Sequence, residues 1–75
     1  MIGQVLHAWV AGSVAGIIMD IGGRIVEVPM ERRYMGEFLA GEGVEDLADL
    51  KGRRVEVSED LQSVALLPEI EPSEN

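Results

Sequence analysis

His7 is the only histidine in the chain, and nucleophilic catalysis would need a base of that kind held against a serine or cysteine. It sits inside the stretch Ile2 to Val10 with no acid or nucleophile beside it in sequence, so it reads as a structural histidine. Carboxylates are more plentiful. Glu42, Glu45, Asp46 and Asp49 lie close together, with Asp46 and Asp49 one helical turn apart, yet they lack the EF-hand spacing and a histidine partner. A solvated acidic face is the expected outcome, with no metal and no cofactor. Gly22-Gly23 and Gly41-Glu42-Gly43 do not lead into a phosphate-binding sequence and read as turn glycines. No catalytic residue is expected, and the chain reads as a non-enzyme.

Two other groups are candidates for binding rather than chemistry. Glu59 and Asp60 are adjacent carboxylates in a predicted turn, where Asp tolerates turn geometry and charge keeps an edge soluble. Trp9, Tyr34 and Phe38 are the only aromatic residues. Such rings can stack on bases, but the surrounding negative charge points instead to packing in a core or a protein interface.

Charge bounds the partners. Fourteen Asp and Glu stand against six Lys and Arg, a formal net charge of −8. Nucleic-acid binding needs cations that displace counterions from phosphates, and the cations here are Arg24, Arg32-Arg33, Lys51 and Arg53-Arg54. Binding of nucleic acid by the isolated chain is therefore expected to be weak. No apolar run is long enough for a membrane span, and no basic leader is seen after Met1, so a cytoplasmic protein without membrane contact is expected.

The elements that must position these residues are short. With 75 residues there is room for one domain, whose core supplies only a few kcal/mol, and with no cysteine there is no disulfide to reinforce it. Apolar residues make up 47% of the chain. Together these favour a homo-oligomer or a protein partner over a monomer with exposed aliphatics.

Residues 2–10 and 14–21 read as two strands joined by a turn at Ala11-Gly12-Ser13, and Gly22-Gly23 predicts a tight hairpin into a third strand over 24–28. Pro29 either ends that strand or puts its end at a sheet edge. Residues 31–39 carry Tyr34/Phe38 and Met35/Leu39 at helical spacing but are interrupted by Gly36, and read as a loop or a weak helical turn. Residues 44–50 predict a short helix capped by Gly52. Residues 53–58 and 61–67 predict two last strands around the Glu59-Asp60 turn, and 68–75 a mobile acidic tail. Three strands, a short helix and two strands over 1–67 make a mainly β, five-stranded OB-fold-like barrel, with an SH3-like barrel as the alternative.

Met1-Ile2-Gly3, Asp20 to Gly23, Val26 to Met30 with Tyr34, and Ser58 to Gln62 resemble, in order and approximate spacing, the N-terminal OB-fold domain of the RuvA family, which binds Holliday junctions. The resemblance spans roughly 1–67. It implies an OB barrel that assembles with copies of itself, and it puts Glu59 and Asp60 where that family carries an acidic pin at the junction centre. The family's phosphate-gripping helix-hairpin-helix domain has no counterpart in these residues, and Arg24 to Val28 departs from the family's pattern after the hairpin. Two functions follow as expectations. One is a non-catalytic OB-fold module for protein–protein interaction or homo-oligomerisation. The other is a RuvA-like accessory in Holliday-junction or branched-DNA processing that lacks its own helix-hairpin-helix part.

Overall fold

A computed structural model describes residues 1–68. The tail expected over 68–75 lies, apart from Pro68, outside the described residues. Five strands form one antiparallel sheet: β1 (Ile2–Ala11), β2 (Val14–Ile21), β3 (Arg24–Glu31), β4 (Arg54–Val57) and β5 (Val64–Leu66). Their order is β3-β2-β1-β4-β5, so the first strand is central and the sheet is not closed between β3 and β5. The mainly β class, the five strands and the helix after the third strand match the expectation, and the small barrel-like domain is open at a seam between its two edge strands.

Turn chemistry sets the first three strands. Gly22 and Gly23 both have positive φ, 61° and 88°, which is what a two-residue hairpin asks of its central positions. The register from Ile21↔Arg24 through Val14↔Glu31 is then unbroken. Strand β1 is less regular. Val5 pairs with Met19 and His7 with Ile18, so Leu6 is the extra residue of a bulge. Val5 faces the core before the bulge, and Ala8 and Val10 pack against it afterwards, because the extra residue switches which parity points inward. His7 is consequently an exposed residue of β1.

The core lies on one face of the sheet. Val5, Ala15, Ile17, Met19, Val28, Val55 and Val57 from the strands are buried with Met35 and Leu50 from the segment between β3 and β4. That segment differs most from the sequence reading. The residues expected to form a loop or weak turn are an α-helix, α1 (Arg32–Glu42), and the helix expected over 44–50 is a single 3₁₀ turn, Leu47–Leu50. Helix α1 begins at Glu31 without a side-chain cap and carries Arg32 and Arg33 in its first turn, against the helix dipole. Packing outweighs these local penalties: Met35 is buried, Phe38 and Leu39 join the core's margin, and α1 contacts β2 and β3. Gly43 closes it, with Gly43 N–H donating to Ala40 O and Val44 N–H to Leu39 O. The 3₁₀ turn is started by Asp46, whose carboxylate accepts from Ala48 N–H at 3.1 Å.

The last strand is also shorter than the expected 61–67. Ser58 to Ser63 form a looped connection, because Ser58 N–H donates to Ser63 O at 3.0 Å and Leu61 N–H to Ser58 O at 3.0 Å. Leu61 adopts a positive φ of 61° there, a left-handed conformation no strand allows. Pro29 sits inside β3 rather than ending it, and is tolerated because β3 is an edge strand.

Gly36 has open space where a methyl would go, and its cost to α1 is conformational entropy alone. Gly36→Ala is expected to stabilise the protein by about 0.5–1 kcal/mol, read as a higher urea midpoint at unchanged slope.

Candidate functional site

At the seam, β3 and the connection leading into β5 stand on either side of a groove with α1 over one end. Its floor and walls are largely apolar, including Met30, Phe38, Leu61 and Val64, and it is rimmed by Glu27 and Asp60. No lysine or arginine lines it. Tyr34, on the first turns of α1, is 51% exposed and contributes its ring to the opening. Helical spacing puts Tyr34 and Phe38 on one face of α1, and the fold turns that face toward the seam. The Arg33 guanidinium lies 5.3 Å from the Tyr34 ring centroid, covering part of it.

Two of the three aromatics expected at an interface are thus brought together with one of the two turn carboxylates. Trp9 is not in the groove. It stands on the opposite face of the sheet, where β1, β2 and β3 align Trp9, Gly16 and Pro29 in register. Its indole lies on Gly16, where a Cβ would come within 2.7 Å of Nε1. The same nitrogen donates to Glu27 Oε2 at 2.8 Å. Trp9 therefore fixes the Glu27 carboxylate on the face opposite the core, along the β3 edge that bounds the groove. Glu27, which this bond ties to the site, carries no motif in sequence; only the cross-strand register shows its relation to Trp9.

Glu59 and Asp60 are both exposed in the β4–β5 connection, but the structure separates their roles. Asp60 Oδ1 accepts from Ser58 Oγ–H at 2.7 Å and from Gln62 N–H at 3.1 Å. The Ser58 hydroxyl, followed by the Gln62 amide, holds the Asp60 carboxyl below the usual aspartate range. These bonds favour the ionised form, so their support of the turn is present at neutral pH and is lost as pH falls through that lowered value. Asp60 is thus a charged, structurally engaged rim group, while Glu59 is exposed beside it in the same turn.

The carboxylates near the helix do not assemble. Among the described residues no group of three or more His, Cys, Asp and Glu is arranged to hold a metal ion. Glu42 instead turns toward β5, where its Oε2 accepts from Leu66 N–H at 3.4 Å. Among the described residues no helix is long and apolar enough to cross a membrane. The chain matches no protein-family model, no curated protein and no solved structure.

Gly16→Ala is expected to lift the indole from the sheet, break the bond to Glu27 and destabilise the fold by about 1–3 kcal/mol. Because Trp9 is the only tryptophan, the displacement should appear directly as a red-shifted emission maximum, and unchanged emission would show that the indole does not depend on Gly16.

Proposed function

We propose that this chain is a non-catalytic module of OB type that works through contact with protein, either copies of itself or another chain. The observation that carries the reading is the apolar groove at the open seam, with Tyr34 and Phe38 on one wall and no cation among its lining residues. The strand order, with a helix between the third and fourth strands, supports the OB-type reading over an SH3-like one. Exposed aliphatic side chains are available to such a contact: Ile2 is 51% and Ile25 65% accessible. Residues of this kind stabilise a contact when they are covered, by roughly 25 cal/mol per Å² of apolar surface removed from water.

Sedimentation equilibrium at tens of micromolar is expected to give a mass above that of one 8.2 kDa chain, a concentration range suited to moderate affinity. In parallel, a photoreactive benzoyl-phenylalanine at Tyr34 should form protein adducts in cells. A single-chain mass together with no protein adduct would remove the reading.

A second reading, an accessory to Holliday-junction or branched-DNA processing like RuvA, is favoured by one observation. Glu59 and Asp60 are exposed in the connection between the last two strands, the place of the acidic pin in that family. Carboxylates there repel phosphates, so Glu59→Gln with Asp60→Asn should tighten binding to a four-way junction at low salt. Equal absence of binding by both proteins across a salt series would discard it.

A further inference from the structure

We infer that the seam receives an extended segment of a different protein, one of alternating apolar and basic residues, which adds to the free edge of β3. The inference rests on the protein-binding reading above and specifies the partner's chemistry.

The backbone decides which edge is open. Along an antiparallel strand, successive residues direct their N–H and C=O groups to opposite sides. Arg32 N–H donates to Ser13 O at 2.9 Å, so in the unbroken β2–β3 register the even-numbered residues of β3 face β2. Ile25, Glu27 and Pro29 therefore direct their backbone groups away from the sheet. Pro29 has no N–H to offer, and its missing donor falls on the outer side, where it costs no ladder bond. Ile25 and Glu27 each present a donor and an acceptor, and Pro29 an acceptor that marks where the ladder loses a partner. The β5 edge is different: it is three residues long, and of its two outward-facing residues, Val64 and Leu66, the Leu66 N–H is already taken by Glu42. An added strand consequently has its ladder on β3.

The side chains decide what the strand must carry. In a pleated strand, alternate residues point to opposite faces. On the core side, an added strand meets the groove formed by Met30, Phe38, Leu61 and Val64, which suits apolar residues. On the other side it runs beside Ile25, Glu27 and Pro29, with the Glu27 carboxylate held in place by the Trp9 indole. Asp60 supplies a second rim charge that stays ionised at neutral pH. A cationic strand is attracted by this rim, and the net charge of −8 draws it in from solution. The same charge disfavours a second copy at this place. It equally disfavours the chain's own sequence beyond Pro68, with Glu69, Glu71 and Glu74. Main-chain bonds then supply affinity, and the alternating environments supply selectivity.

The test uses fluorescence anisotropy with dye-labelled, end-capped octapeptides of alternating arginine and valine, glutamate and valine, and arginine and serine. The arginine–valine peptide is expected to bind, with the other two weaker by about tenfold or more at low ionic strength, where exposed charges are least screened. Three variants separate the causes. Glu27→Gln with Asp60→Asn keeps both hydrogen-bond acceptors and removes both charges, and should weaken the arginine–valine peptide about fivefold or more while flattening its salt dependence. Ile25→Pro leaves the charge unchanged and removes an outward N–H together with the side chain, so it should keep the fold and lose a comparable factor in affinity, whereas Ile25→Ala, which removes the side chain alone, should lose clearly less. Amide spectra of the parent protein should shift on peptide addition at Glu27, Phe38 and Val64. Equal binding of all three peptides, parent-like binding by a folded Ile25→Pro variant, or shifts confined to a face away from the seam would each overturn the inference. So would concentration-dependent shifts at these residues without peptide, since they would put a second copy in the groove. Failure here with self-association or Tyr34 adducts intact would leave the broader protein-binding reading standing.

Discussion

Every other element of this fold depends on the double pairing of β1. Its first residues bind β4, with Ile2↔Glu56, Gly3↔Val55 and Gln4↔Arg54, and the ladder continues through Val5 N–H to Arg53 O and Gly52 N–H to Val5 O. Beyond the bulge at Leu6 the strand belongs to β2 alone. One strand thus joins a local hairpin stack to residues some fifty positions away, a contact whose loop-closure cost is repaid only by burying both sides of the junction. Val5, Met19 and Val55 meet at that junction, and each is almost wholly buried.

Placing β1 in the centre leaves β3 and β5 as edges, and the segment between β3 and β4 must then cross the core face. That geometry explains α1. It has no side-chain cap or favourable charge at its N-terminus, and forms because Met35, Phe38 and Leu39 have an apolar surface to cover. The same crossing puts Tyr34 and Phe38 beside the seam and brings Glu42 to the β5 edge. The groove is therefore a consequence of topology: it is the space left where the sheet ends without meeting itself.

Edges of this kind invite pairing, and the molecule treats its two differently. Glu42 covers a donor of β5, whereas among the described residues β3 has one proline and otherwise open backbone on its outer side. Around β3 the charge is organised through the sheet, since Trp9 on the third strand in from the edge holds Glu27 through a cross-strand bond made close by Gly16. Asp60 is held from the opposite side by Ser58 and Gln62. Both acids are fixed by hydrogen bonds, and those to Asp60 favour its ionised form.

The local signals in the chain were enough to locate the three strands before α1, though not the end of β3, which runs past Pro29 to Glu31. Gly22-Gly23 demands a hairpin, Gly12-Ser13 a turn, and the β-branched runs between them suit a pleated, half-buried surface. They were also enough to order three strands, a helical segment and two strands, and to identify Tyr34, Phe38 and Asp60 as candidates. They could not place α1, because Gly36, the missing N-terminal cap and two first-turn arginines argue locally against a helix that burial of Met35, Phe38 and Leu39 stabilises. The bulge at Leu6 was equally hidden, since its register is set by β4 and β2 pulling on one strand. Nor could turn propensity distinguish Asp60, bonded into its loop, from Glu59 beside it. The sequence by itself determined local backbone preference and net charge, which depend on neighbours in the chain. Tertiary structure alone decided which edge stays open and which aromatics and acids share a groove, because those follow from pairing and burial between residues far apart in sequence.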